Sequence, residues 1–125
     1  MNTLFKSSDI ISIHIPYSKE THEIVDVKLL RKMKKTAFLV NTSRGKIINE
    51  NNLVTALKQR KISGAALDVF RNEPIGKKHM FTKMENVVLV PHIGSSSKET
   101  REKMAEITMM NLKLGLDRKK LLYSV

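Results

Sequence analysis

Four short apolar runs, separated by segments with helical or turn character, constrain the fold of this chain more than any other feature. One of them, Ala37 to Val40, ends in the polar loop Asn-Thr-Ser-Arg-Gly at residues 41–45. A short apolar run bounded by turn residues is typical of a strand that is buried on both faces. The predicted strands cover residues 10–15, 37–40, 63–70 and 87–90.

Helical spacing of apolar residues fills most of the intervals between these strands. Asp26 is the predicted cap of a short helix, and Asn49 is the predicted cap of a second one. Ser96 and Glu99 have the spacing of a capping box, which predicts the start of a third helix. That helix is predicted over residues 97–116, with four apolar residues expected to be buried: Met104, Ile107, Met110 and Leu114.

The predicted elements alternate in the order strand, helix, strand, helix, strand, long loop, strand, helix. This alternation is typical of an α/β fold, in which helices cover a parallel sheet. In such sheets, ligands bind just beyond the carboxyl ends of the strands. Polar residues that follow the predicted strands are therefore the first candidates for function.

Composition excludes several classes of protein. The 125 residues contain no cysteine, so disulfides and thiol chemistry are excluded, and a cytoplasmic location is expected. No apolar run approaches the ~20 residues that a membrane-spanning helix needs, and no membrane partner is expected. His14 has no second ligand at metal spacing, which favours a structural histidine and no metal site.

The net charge of +11, from 23 basic and 12 acidic residues, makes a nucleic-acid partner worth considering. The lysines are scattered, however, with short clusters near residues 32–35 and 118–120. The few aromatic residues do not interleave with these clusters, as a platform for stacked bases requires. A solvated lysine-rich surface is the favoured interpretation, and no nucleic-acid partner is expected. A nucleic-acid-binding module stays as an alternative that charge alone supports.

Chemically active side chains lie at the carboxyl ends of three predicted strands. Arg44 and His92 follow their strands, Asp68 lies at the carboxyl end of the third strand, and Glu73 lies in the loop after it. The carboxyl ends of parallel strands meet at one edge, so the four side chains are expected to converge. An imidazole can transfer a proton near neutral pH, and a guanidinium can hold a carboxylate by two hydrogen bonds. This combination suits proton transfer coupled to attack on a 2-keto acid, although Arg44 alone also fits a surface arginine in a polar turn.

The same segments resemble a known family. They are Ser8 to Pro16, the Asn-Thr-Ser-Arg-Gly loop at 41–45, Gly-Ala-Ala-Leu-Asp-Val-Phe at 64–70 with Glu73-Pro74, and Pro-His-Ile-Gly-Ser at 91–95. The residues in these segments, and the order of the segments along the chain, resemble those of the D-isomer-specific 2-hydroxyacid dehydrogenases. This family includes glyoxylate and hydroxypyruvate reductases and D-3-phosphoglycerate dehydrogenase. The resemblance covers nearly the whole chain.

The resemblance implies catalytic roles for three residues. Arg44 is expected to bind the carboxylate and carbonyl of the substrate. His92 is expected to be the general acid in reduction and the base in oxidation, and Glu73 is expected to pair with it. The expected cofactor is NAD or NADP, with NAD preferred, and the nicotinamide carries out the redox step. The residues expected at the cofactor are Pro16, Thr42, Ser43, Arg44, Asp68, His92, Gly94 and Ser95.

Two elements of the family pattern are absent from this sequence. The five glycines do not form a Gly-x-Gly-x-x-Gly fingerprint, and the acidic residue that grips the ribose is also missing. The resemblance therefore implies a partial Rossmann-like, doubly wound parallel sheet that lacks the first βαβ half. Residues 1–116 are expected to be the second half of a dinucleotide-binding domain. Residues 117–125 are expected to be a tail that returns toward a substrate domain.

The resulting function hypothesis is an oxidoreductase that transfers a hydride between a nicotinamide dinucleotide and a small 2-keto or 2-hydroxy acid, similar to glyoxylate. Because the phosphate-binding glycines are absent, the chain alone is expected to bind dinucleotide weakly or not at all. The expected partner is a second polypeptide that supplies the missing half, or a second copy of the chain in a homodimer. The alternative is a truncated, non-catalytic remnant or an interaction module.

Overall fold

A four-stranded parallel sheet organises residues 1–92. The structure is a computed structural model and describes residues 1–123. The strands are β1 (Ile10–Ile13), β2 (Phe38–Asn41), β3 (Gly64–Leu67) and β4 (Val87–Leu89), and they lie in the order β1-β2-β3-β4. The predicted α/β fold with about four parallel strands and flanking helices is confirmed.

The register of the sheet aligns the carboxyl ends of its strands. Ile13 pairs with Asn41, Asn41 with Leu67, and Leu67 with Leu89. The segments that follow the four strands therefore leave the sheet at one edge, as the sequence predicted. We call this the carboxyl edge.

Helices follow the predicted caps with two differences. They are α1 (Asn2–Ser7), α2 (Val27–Leu30), α3 (Glu50–Lys58) and α4 (Lys98–Leu116), with single 3₁₀ turns at Gly45–Ile47 and Met80–Lys83. The side chains of Asp26 and Asn49 cap α2 and α3 as predicted. Helix α1, which buries Phe5, was not predicted, because six residues show too little periodicity. The cap of α4 is Ser97 instead of Ser96, and it accepts from the Thr100 amide.

The core lies on one face of the sheet. Residues from α2, α3 and the sheet form one apolar cluster, whose completely buried members include Leu39, Leu53 and Leu57. The opposite face carries Ile10, Phe38 and Val88, which are 66%, 48% and 63% exposed. The prediction that β2 is buried on both faces was therefore wrong. An apolar run in the sequence shows only that a sheet face is suited to burial. Within residues 1–92, no helix or loop packs on this second face of the sheet.

The chain divides into two compact units, Met1–His92 and Ile93–Val125. In the second unit, Met104 and Met110 are exposed and Ile107 and Leu114 are half-buried, so their predicted burial was wrong. Helical spacing identified an apolar stripe, but the second unit offers α4 little to pack against. None of the helices within residues 1–123 has the length and apolarity to cross a bilayer.

The segment after α4 folds back along the helix. The Leu122 backbone amide donates to Asn111 Oδ1 at 2.9 Å, and Asn111 Nδ2 donates to the Tyr123 carbonyl at 3.1 Å. The last two residues of the predicted tail 117–125 lie outside the described residues. Whether the tail belongs with a substrate domain stays a prediction.

Candidate active site

A buried asparagine shapes the turn that carries Arg44. Asn41 is the last residue of β2 and is completely buried. Its Oδ1 accepts from the Ser43 amide, and its Nδ2 donates to the Arg44 carbonyl, both at 3.1 Å. Both ends of one amide thus hold the three following residues in a fixed turn, which places Arg44 at the carboxyl edge. The sequence analysis included Asn41 in the motif but did not predict that its side chain shapes the turn. The one indication in the sequence was its position as a polar residue directly after an apolar run.

The close approach of two backbone segments fixes the other side of this turn. A Cβ added to Gly45 would lie 2.0 Å from the Phe70 carbonyl carbon and 2.5 Å from the Arg71 nitrogen. Backbone atoms cannot yield as a flexible side chain can, so only glycine fits. The loop that carries Arg44 is therefore packed directly on the segment that leads to Glu73. The sequence shows that a glycine follows Arg44, but it does not show that the Phe70 backbone packs against this glycine.

Two clefts at the carboxyl edge share the Arg44 side chain. One, of about 320 Å³, is lined by Arg44, Glu73 and His92 among others. The other, of about 470 Å³, is lined by Arg44 together with Pro16 and Ser43. The guanidinium is exposed, and its Nη1 donates to the Ser43 carbonyl at 2.7 Å. Most of its donors remain able to reach a ligand in either cleft.

His92 and Glu73 form a direct pair. His92 Nδ1 lies 2.8 Å from Glu73 Oε2, and the other oxygen of Glu73 accepts from the Phe70 amide at 2.9 Å. The backbone at His92 has φ of 55°, a left-handed conformation that costs a non-glycine residue energy. Such conformations cluster at functional sites, where the surrounding structure maintains them. Here the conformation follows directly after the strand end and its proline.

The charge of Glu73 determines which ring nitrogen of His92 carries the hydrogen between them. Burial raises the pKa of the Glu73 carboxyl, but the hydrogen bonds from His92 and from the Phe70 amide outweigh burial and leave the pKa below its usual range. Glu73 is therefore a carboxylate at neutral pH and can only accept hydrogen bonds. Nδ1 of His92 must donate to it. This arrangement leaves Nε2 of His92 as the nitrogen available for proton transfer.

The remaining predicted site residues divide into three groups. Asp68 directly follows β3, is only 4% exposed, and its amide donates to the Asn41 carbonyl at 2.9 Å. Thr42 is exposed at the start of the Arg44 turn. Gly94 and Ser95 belong to the second unit, so their part in the site stays a prediction. Within residues 1–123, no group of three or more His, Cys, Asp and Glu side chains could hold a metal ion.

The family model for the NAD binding domain of the D-isomer specific 2-hydroxyacid dehydrogenases matches residues 1–94. The chain belongs to this family. Glyoxylate reductase of Thermofilum pendens is 52% identical over 112 residues, which cover 90% of this chain and 33% of that protein. Glyoxylate/hydroxypyruvate reductase B of Cronobacter sakazakii is 42% identical, with coverages of 90% and 35%. The chain thus spans about a third of the length of the curated relatives it matches.

Solved structures of family members share the fold. The NADPH-dependent glyoxylate/hydroxypyruvate reductase of Sinorhizobium meliloti, in complex with NADP and malonate, superposes with a TM-score of 0.93 at 32% identity. The match covers 99% of this chain and 39% of that one. D-mandelate dehydrogenase of Rhodotorula graminis gives a TM-score of 0.89 at 36% identity, with coverages of 99% and 36%. These likenesses confirm the predicted partial Rossmann-like sheet.

Proposed function

We propose that this member of the dehydrogenase family carries the proton-transfer half of the active site of an oxidoreductase. The reaction is hydride transfer between a nicotinamide dinucleotide and a small 2-keto or 2-hydroxy acid, with glyoxylate as the representative substrate. The observation that supports it best is the pairing of His92 with Glu73 at 2.8 Å in a cleft that Arg44 also lines. An imidazole that can donate a proton and a guanidinium that can bind a carboxylate then face the same space.

The residues act as follows in the direction of reduction. The Arg44 guanidinium holds the substrate carboxylate by two hydrogen bonds and polarises the neighbouring carbonyl. Nε2 of His92 gives its proton to the carbonyl oxygen, and Glu73 stabilises the imidazolium before the transfer. The nicotinamide dinucleotide, when bound, supplies the hydride that the carbonyl carbon accepts. The product is the 2-hydroxy acid, and His92 recovers its proton from water.

The residues present suit the nicotinamide end of a dinucleotide. The cleft of about 470 Å³ next to Arg44 lies at the carboxyl edge, where doubly wound sheets bind nucleotides. Pro16, Thr42, Ser43 and Asp68 of the first unit would line this end. Gly94 and Ser95 are proposed to complete the pocket. NAD is the proposed cofactor ahead of NADP, and the pyrophosphate requires glycines that this sequence does not contain.

The proposed domain organisation follows from the same argument. Residues 1–116 are proposed as the second half of the dinucleotide-binding domain, and residues 117–125 as the return toward a substrate domain. The first half would come from a second polypeptide, and a homodimer of the chain is the alternative assembly. A cytoplasmic location belongs to the same proposal, because keto-acid reduction needs a supply of reduced dinucleotide.

One observation favours a second candidate function. The open face of the sheet exposes Ile10, Phe38 and Val88, and apolar patches on sheet faces favour association. A non-catalytic remnant or interaction module would use this face without using His92. The two candidates differ in whether the site performs chemistry when the rest of the enzyme is supplied.

A chimera tests the proposed function. In it, this chain replaces the 112 aligned residues of the Thermofilum pendens glyoxylate reductase, which is 52% identical there. We expect the chimera to bind NADH or NADPH and to reduce glyoxylate, measured by loss of nicotinamide absorbance. The isolated chain should show no sub-millimolar affinity for NADH by fluorescence titration. A folded chimera that binds dinucleotide but does not turn over would favour the non-catalytic module, and sub-millimolar binding by the isolated chain would contradict the need for a missing half.

Replacing Arg44 by lysine in the chimera should raise KM for glyoxylate about tenfold or more. A lysine keeps the charge but cannot copy the planar fork that binds a carboxylate by two hydrogen bonds. Steady-state kinetics with glyoxylate as the varied substrate measures the effect. Arg31→Lys, an equally exposed substitution at the end of α2, is the matched control and should leave KM unchanged. Equal KM values for the two variants would show that Arg44 does not bind the substrate and is a surface arginine in a polar turn.

A further inference from the structure

The segment that carries Glu73 is held in place by a second acidic residue, Glu50. Glu50 is the first residue of α3. One of its oxygens, Oε2, accepts from the Arg71 amide at 3.3 Å, and the other, Oε1, lies 2.8 Å from Nε2 of His79. Arg71 precedes Glu73 in the chain and His79 follows it. The Glu50 carboxylate therefore contacts this segment on both sides of Glu73.

The contact with His79 has a defined direction. The Phe81 amide donates to Nδ1 of His79 at 3.2 Å, so Nδ1 accepts and Nε2 carries the hydrogen that Glu50 receives. The imidazole also packs on the Phe81 ring, with ring centroids 4.9 Å apart. Phe81 is 2% exposed in the core. The far end of the segment is thus anchored by both polar and apolar contacts.

The near end of the segment is anchored twice. Besides its amide contact with Glu50, Arg71 forms an ion pair through its guanidinium with Glu23. The second oxygen of Glu23 accepts from the Asn49 side chain at 2.8 Å, and Asn49 caps α3. Both contacts connect Arg71 to the start of the same helix, so α3 and the segment with Glu73 form one framework.

We infer that Glu50 is a positioning residue for the pair formed by Glu73 and His92. Its role in catalysis rests on the proposed function, whereas its role in holding Glu73 does not. A simpler account is that Glu50 only complements the dipole at the start of α3, as any carboxylate in a first turn does. The two accounts differ in whether the contacts with Arg71 and His79 matter for Glu73.

The variant Glu50→Asp separates these accounts. Aspartate keeps a negative charge in the first turn of α3 but is one methylene too short to reach both Arg71 and His79. NMR titration of the isolated chain, labelled at glutamate side-chain carbons, measures the pKa of Glu73. We expect this pKa to rise toward the usual range for glutamate, because the bonds from His92 and the Phe70 amide weaken. Hydrogen exchange of the Phe70 amide should become roughly tenfold faster.

Two further variants make the result unambiguous. Glu106→Asp shortens another carboxylate, whose contact with Lys103 measures 2.7 Å compared with 2.8 Å between Glu50 and His79, and it should leave the pKa of Glu73 unchanged. His79→Gln offers a side-chain N–H in place of Nε2 and should keep the Glu73 pKa low, whereas His79→Leu should raise it. Retained dispersion of the core methyl resonances shows that each variant is folded. A folded Glu50→Asp chain with an unchanged Glu73 pKa and unchanged Phe70 exchange would overturn the inference.

The same substitution in the chimera separates positioning from the proposed function. There Glu50→Asp should lower kcat several-fold and leave KM for the dinucleotide unchanged. The NMR experiment needs neither substrate nor cofactor. A chimera without any activity would therefore contradict the proposed function, while the Glu73 pKa would still decide the role of Glu50.

Discussion

Replacing His92 by glutamine should lower kcat of the chimera for glyoxylate by about 10²–10⁴-fold, the range typical of a lost general acid. Glutamine fills a similar volume and can still donate a hydrogen bond, but it cannot release a proton at neutral pH. Glu73 would remain a carboxylate with no cation to stabilise. Dinucleotide affinity, measured by fluorescence titration, should stay within about twofold, because the substitution adds no charge and removes little volume.

His22→Gln is the matched control for this variant. His22 belongs to the same unit as His92 and is also exposed, and its ring lies 3.4 Å from the Tyr17 hydroxyl. The control should retain the full rate. If His92→Gln retained it too, the proton would have to come from elsewhere. Loss of dinucleotide binding together with rate would instead make His92 a structural residue whose left-handed backbone shapes the loop.

The sheet and its carboxyl edge were predictable because their determinants are local. Ile10, Ile11 and Ile13 are β-branched residues that favour strands, and each apolar run ends at residues typical of turns. Helical segments between successive strands indicate a parallel sheet, because parallel strands need long crossover connections. The alignment of the strand ends then brings Arg44, Asp68 and His92 to one edge. This argument needs no knowledge of long-range contacts.

The environment of the predicted elements was less predictable. Apolar spacing identified Phe38 and Met104 as candidates for burial, but both are exposed in this chain. An apolar side chain is more stable when it is buried, but its burial requires other residues to pack against it. Those residues are distant in sequence or belong to another chain. The cap of α4 differed from the prediction by one residue, because Ser96 and Ser97 both accept hydrogen bonds and the sequence does not rank them.

The contacts that organise the site were also beyond sequence reasoning. The side chain of Asn41 shapes the Arg44 turn, and Glu50 reaches Arg71 across 21 positions. Each depends on which backbone segments the fold places side by side. The sequence predicts which residues carry the chemistry, while the fold determines which other residues hold them in place.

Gly45→Ala should destabilise the isolated chain by about 3 kcal/mol, the upper end of the cost for inserting a methyl group into packed structure. The new Cβ would lie 2.0 Å and 2.1 Å from the carbonyl carbon and oxygen of Phe70. All the nearest atoms are backbone, so relief requires the Arg44 turn and the Glu73 segment to separate. Urea denaturation followed by circular dichroism measures the change in the free energy of unfolding.

Gly76→Ala is the matched control in the same part of the chain. No atom lies within 4 Å of the added Cβ, and the backbone there is not left-handed. This substitution should stabilise the chain by roughly 0.5 kcal/mol, because alanine reduces the freedom of the unfolded state. If the two variants had equal stability, the Arg44 turn would not be packed against Phe70 as described. A destabilised Gly45→Ala chain beside an intact Gly76→Ala chain would instead show that one close backbone approach joins the Arg44 turn to the segment that carries Glu73.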